Sequence, residues 1–156
     1  MNKKKAIPLS ACVIGLILIL DQFTKYLIRT NMTLGHAIPA KDSFFSIRYA
    51  LNDGVAFSMF QGHRIPLILI QSTLVIAILV VMVVVLRRAF SALLLMSFSL
   101  MLGGGLGNLI DRLVFGKVTD FISIGSFPIF NIADMSLIAG CGLMLLYMLR
   151  SGRNDD

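Results

Sequence analysis

Four long apolar runs divide the chain, at roughly residues 7–28, 65–86, 90–110 and 129–149. The hydrocarbon core of a bilayer takes about 20 residues of helix, so each run predicts a transmembrane helix. The loop between the first two runs, about 30–64, follows a different rhythm. Phe45, Ile47, Tyr49 and Leu51 alternate with Ser46, Arg48, Ala50 and Asn52, the period of a strand with one apolar face. That strand runs into Asn52-Asp53-Gly54, a turn-forming cluster whose glycine tolerates a positive φ. The pattern predicts an all-α integral membrane protein, a single membrane domain over 1–156. Four transmembrane helices carry a small extracytoplasmic β-sheet in the loop between helices 1 and 2. An ordinary hairpin with no part in a site is the simpler alternative for that loop.

Composition agrees with the pattern: 57% of the residues are hydrophobic and 14% charged, which excludes an ordinary soluble domain. The net charge of +6 does not point to nucleic acid, because the basic residues stand singly or at the ends of apolar runs. They report orientation instead. Lys3, Lys4 and Lys5 precede the first run, Arg87 and Arg88 separate the second from the third, and Arg150 and Arg153 follow the fourth. This clustering places both termini in the cytoplasm. Lys25, Arg29, Lys41, Arg48, Arg64, Arg112 and Lys117 fall on the outer side and equal the inner set in number. The orientation therefore rests on clustering, and on site roles for Lys25 and Arg112. Three lysines before an apolar stretch also fit a cleaved signal peptide, but the long apolar run follows Leu9-Ser10-Ala11-Cys12 instead of preceding it. Cys12 and Cys141 lie inside apolar runs, and His36 and His63 are far apart. No disulfide framework and no metal-ligand spacing emerges, so neither metal nor cofactor is expected.

The acids change the picture most. Glutamate is absent, and Asp21, Asp53, Asp111, Asp120 and Asp134 all stand in or beside the apolar segments. Ionisable groups at membrane depth are costly and usually mark function. Asp21 and Lys25 lie one turn apart past the middle of helix 1. Asn108 and Asp111 share a face near the outer end of helix 3, next to Arg112. Asn131 and Asp134 occupy the first turn of helix 4, and Asp120 lies in the short connection before it. Carboxylates and amides from separate segments thus reach one level, the outer one. Each group also has a plainer reading. Asp21 and Lys25 can be a structural ion pair with the lysine snorkelling outward. Gly103, Gly104, Gly105 and Gly107 can serve close helix packing. Asn131 can cap helix 4, with Asp134 favoured by the helix dipole.

The conjunction of strings is more specific than any one of them. Asp21-Gln22-Phe23-Thr24-Lys25, Asn52-Asp53-Gly54-Val55-Ala56-Phe57, Gly104-Gly105-Leu106-Gly107-Asn108-Leu109-Ile110-Asp111-Arg112, Val118-Thr119-Asp120-Phe121 and Phe130-Asn131-Ile132-Ala133-Asp134 occur in this order. In these strings the chain resembles the bacterial lipoprotein signal peptidases, the type II or prolipoprotein signal peptidases. The resemblance implies an aspartic endopeptidase of the bacterial cytoplasmic (inner) membrane. Such an enzyme removes the signal peptide of a prolipoprotein, cutting before the diacylglyceryl-cysteine. It implies Asp120 and Asp134 as the catalytic pair, with Asn108, Asp111, Arg112 and Asn131 supporting them. Asp21, Lys25, Asn52 and Gly54 match positions tied to site integrity or substrate contact. Membrane lipid and a globomycin-type inhibitor are further implied partners, and a monomer is expected.

The chemistry is sensible without the family name. Two close carboxylates do not both ionise easily, so one holds a proton while the other takes one from water. Asp111 is the alternative catalytic acid. Asp120 is preferred by resemblance, and because Arg112, adjacent to Asp111, would hold that carboxylate ionised. From another class, a small proton- or cation-coupled carrier predicts acids spread across the bilayer depth. A non-enzymatic scaffold explains none of the strings.

Overall fold

The computed structural model describes residues 3–39, 43–54, 64–88 and 91–151. Lys41, the Val55-Ala56-Phe57 part of the loop string, His63, Phe90 and Arg153 fall outside them. The elements follow in the order α1 (Lys3–Asn31), β1 (Ala37–Ile38), β2 (Phe45–Asn52), α2 (Arg64–Arg88), α3 (Ala92–Phe115), β3 (Val118–Ile124) and α4 (Ile132–Ser151). All four helices are long and apolar enough to cross a membrane.

Helix α3 is the hub. Its apolar window is 61% buried inside the protein, against 22% for α1, 11% for α2 and 17% for α4. Small residues explain the difference, because backbones can approach only where side chains do not intervene. Ser97 donates to the Gly140 carbonyl of α4 at 2.8 Å, and Ser99 meets Ser10 of α1 at 2.9 Å. A Cβ on Gly104 would run into the carbonyl of Ala133. The glycine run is thus the seam between α3 and its neighbours, as its packing reading anticipates. Outward, Leu16, Ile19 and Phe23 of α1 and Leu69, Leu74 and Ile76 of α2 stay exposed, the surface a lipid solvent requires.

Helix α1 is longer than its apolar run at both ends, and two boundaries beside the site also move. The sequence places the end of helix 3 at 110, where charge interrupts the apolar run; the helix continues to Phe115 because Asp111 and Arg112 are buried with partners. Gly116 then closes it in the left-handed region, at φ 79°, its N–H bonded to the Arg112 carbonyl. Helix 4 begins at Ile132 instead of about 129, since Phe130 is still held by Ile122 in a bridge to β3. Asn131 is therefore the residue before the helix and not within its first turn.

The sheet has three antiparallel strands in the order β1-β2-β3. Two come from the loop after α1: β2, which the alternation predicts, and the two-residue β1, which it does not. The third, β3, comes from the segment between α3 and α4, which the sequence reading leaves as a connection. Val118 to Phe121 are all buried, so the segment shows no exposed face to mark it as half-buried. The apolar side of β2 also behaves differently from expectation. Phe45 and Leu51 are exposed while Ser46 is buried, and a register irregularity between Ile47 and Ala50 breaks the strict alternation.

Candidate active site

Asp120 reaches the site because β3 pairs with β2 in one register: Ala50 faces Asp120 and Asn52 faces Val118. Asn52 and Asp120 are then diagonal neighbours on one face. The Asn52 amide donates to Asp120 Oδ2 at 3.0 Å, and the Gly54 N–H holds Asn52 Oδ1 at 3.1 Å. Gly54 contributes through its peptide groups, its carbonyl accepting from Arg112 Nη2 at 3.0 Å.

After β3 the chain turns and returns at Phe130, whose N–H donates to the Ile122 carbonyl at 3.0 Å. This delivers Asn131 beside Asp120. Asn131 and Asp134 form a reciprocal cap: the Asp134 N–H donates to Asn131 Oδ1 at 2.9 Å, and the Asn131 N–H to Asp134 Oδ2 at 3.3 Å. The same Asn131 amide donates to Asp120 Oδ1 at 2.6 Å. One asparagine therefore joins both carboxylates, and capping and site membership are a single arrangement. Asn108 completes it by donating to Asp134 Oδ1 at 2.7 Å while its own oxygen accepts from Lys25 at 2.9 Å and Asn131 at 3.1 Å. Burial, then the Asp134 charge, pushes Asp120 up to about 6; the hydrogen bonds from Asn52 and Asn131 and the charge of Lys25 oppose the rise.

Asp21 and Asp111 are held differently. Asp21 pairs with Lys25 at 2.8 Å, both fully buried, and accepts from the Ala133 N–H at 2.9 Å. The lysine does not snorkel. A Cβ on Gly107 would lie 2.6 Å from the Asp21 carboxylate, so a glycine is needed for α1 to reach α4 across α3. Asp111 faces Lys25 at 3.6 Å and Arg29 at 3.3 Å, and accepts from the Thr119 N–H at 2.9 Å, which fixes the start of β3. Arg112 is not its partner: consecutive helical residues point to different faces. Its guanidinium turns to Gln71 and Gly54 instead.

All ten residues singled out in the sequence thus meet in one network. Four others belong to it, the buried Thr119 among them. Arg29 bonds Thr119 at 3.0 Å and lies 4.2 Å over the Phe115 ring; its spacing of four from Lys25, itself four from Asp21, was a readable signal. Gln22 donates toward Asp21, Asp111 and the Gly107 carbonyl. Gln71 of α2 accepts from Arg112. Beside this network opens a cleft of about 400 Å³, with Asn52, Gly54, Gln71, Asn108, Arg112 and Asp134 at its polar end and Leu74, Val75, Ile78, Met101 and Leu137 along its apolar wall. Among the described residues no three His, Cys or carboxylate side chains converge as a metal set.

The sequence family model for signal peptidase (SPase) II matches residues 13–150. The chain belongs to the signal peptidase II family. It is 40% identical to a lipoprotein signal peptidase of Shouchella clausii over 93% of this chain and 96% of that one. It is 39% identical to a lipoprotein signal peptidase of Moorella thermoacetica, over 88% and 93%. A solved bacterial membrane enzyme superposes with a TM-score of 0.83 at 33% identity, covering 96% of this chain and 93% of that one. A second does so at 0.78 and 34%, covering 92% and 94%. As a member of this signal peptidase II family, the chain is an aspartic-type peptidase and a multi-pass bacterial membrane protein.

Proposed function

We propose that the protein removes signal peptides from diacylglyceryl-modified prolipoproteins, cutting before the lipid-modified cysteine with Asp120 and Asp134 as the catalytic pair. The observation that carries the reading is Asn131, which bonds both carboxylates while, among the described residues, neither forms a salt bridge. One aspartate holds a proton and the other is ionised. The ionised one takes a proton from water as the water oxygen attacks the scissile carbonyl carbon, and the protonated one gives its proton to the carbonyl oxygen. Collapse of the diol breaks the C–N bond, a proton passes to the leaving amine, and the pair is again singly protonated. The two carboxyls titrate as a unit.

Asn52, Asn108 and Asn131 orient the pair, Arg112 and Gly54 hold the loop over it, and Asp21, Lys25 and Asp111 fix the helices beneath. With both termini in the cytoplasm, the site lies at the outer face, level with a lipid-modified cysteine whose acyl chains remain in the outer leaflet. The apolar wall of the cleft offers the signal helix a dry surface. A proton or cation carrier fits less well, because its acids should spread through the bilayer, whereas these gather in one network.

Purified protein incubated with a diacylglyceryl prolipoprotein is expected to convert it to a shorter form on a gel. Globomycin-type compounds should block the conversion and chelators should not. Failure of folded protein to cleave, or chelator-sensitive activity restored by zinc, would overturn the proposal.

A further inference from the structure

The polar end of the cleft contains one side chain from α2. That helix is apolar along most of its length, and it is the span least buried inside the protein. Gln71 nevertheless makes two directional bonds: its Nε2 donates to the Gly105 carbonyl at 2.9 Å, and its Oε1 accepts from Arg112 Nη1. The amide orientation is fixed by these partners, since a flipped amide would set its NH2 against the guanidinium and its oxygen against a carbonyl. Arg112 Nη2 then bonds the Gly54 carbonyl at 3.0 Å, the Gly54 N–H bonds Asn52 Oδ1 at 3.1 Å, and Asn52 Nδ2 bonds Asp120 Oδ2 at 3.0 Å.

We infer that Gln71 is a positioning residue for the reaction, holding Arg112 on the Gly54 carbonyl so that Asn52 keeps its amide on Asp120. The inference rests on the catalytic reading of Asp120. The order of the relay gives it direction. Arg112 has two acceptors on two nitrogens, and removing Gln71 leaves one, so the guanidinium can leave Gly54. Without that clamp the Asn52 oxygen keeps only the Gly54 N–H of a looser loop, and the amide can rotate away from Asp120. Because Gln71 also lines the cleft, an occupant pressing on α2 acts on the same relay.

The test is a double-mutant cycle of Gln71→Met with Asn52→Ala, read as kcat, KM and the pH dependence of kcat/KM on a diacylglyceryl prolipoprotein. Each single variant is expected to lose about tenfold in kcat, the scale of a hydrogen bond to a charged group, with a smaller change in KM. Asp134, Lys25 and Arg112 all act on Asp120 and remain in every variant. Loss of the Asn52 bond should therefore move the upper pH limb upward by the same amount in both singles. The double variant should fall little below either single. If Gln71→Met does not fold, Gln71→Asn, one methylene shorter and out of reach of Arg112, carries the same expectations.

Additive losses, or a pH limb in the Gln71 variant unmoved from the parent's, would contradict the relay and leave Gln71 a packing residue. Full activity of Asp120→Asn would instead remove the catalytic reading itself, so the two failures are separable.

Discussion

Two pairs of aspartates lie within one hydrogen-bond network, and they are held by opposite means. Asp21 and Asp111 face Lys25 and Arg29 and take backbone N–H groups from Ala133 and Thr119. Asp120 and Asp134 are bound by Asn52, Asn108 and Asn131. Cations hold a buried carboxylate by opposite charge; amides orient one without supplying a charge. The first pair joins α1, α3, α4 and the start of β3, and on the catalytic reading proposed above the second is left able to exchange protons. Burial does not set Asp120 apart from the first pair, since it is nearly as inaccessible as Asp21, at 2% against 0%, although Asp134 is only half-buried. The charge of the bonded partners separates all four.

The strongest way to break this contrast is to remove the acids from the second pair. Asp120→Asn and Asp134→Asn should each lower cleavage on the order of 10³-fold while the protein remains folded. Gel-shift assays on protein of normal melting temperature would check this. Asp111→Asn should fail in the other currency: it leaves Lys25 and Arg29 short of a buried counter-charge, so a loss of about 3–5 kcal/mol in stability is expected. Thermal unfolding in detergent measures it. Gly107→Ala should cost about 1–3 kcal/mol by pushing the Asp21 carboxylate off the Ala133 N–H; the same unfolding assay should show a smaller drop than for Asp111→Asn.

The smallest effect is the dependence on pH. Asp120 binds its proton more tightly in the folded protein than an ordinary carboxyl, at about 6. Its contribution to stability is therefore fully present below the ordinary carboxylate range and lost as pH rises through about 6. Asp120→Asn should flatten the melting temperature between pH 4 and pH 7 relative to the parent. An unchanged slope would mean that another group titrates there.

The legible and illegible parts of the molecule divide along related lines. The spans were visible because a lipid solvent forces long apolar runs, and β2 because Phe45, Ile47, Tyr49 and Leu51 alternate in sequence with Ser46, Arg48, Ala50 and Asn52, although burial does not follow that alternation. Strand β3 was hidden because it is covered on both faces, so Val118-Thr119-Asp120-Phe121 carries no period. The ten residues that meet in the network were singled out from their strings, yet their partners were not. Arg112 stands next to Asp111 in sequence but turns to Gln71 and Gly54, a consequence of helix geometry that adjacency conceals. Gln71 gave only one hint, an amide inside a nearly continuous apolar run, and its meaning depends on Arg112 arriving from α3.

The division of labour between the pairs is tested most directly by measuring single-turnover cleavage per folded molecule for Asp21→Asn, Asp111→Asn, Asp120→Asn and Asp134→Asn in the same lipid. The expected result is that the last two, although folded, cleave on the order of 10³-fold more slowly than the parent. The first two should lose mainly folded protein, with the molecules that do fold retaining activity within about tenfold of the parent. Turnover near the parent's in folded Asp120→Asn, together with complete loss in folded Asp111→Asn, would contradict the assignment and transfer the catalytic role to the cation-paired aspartate.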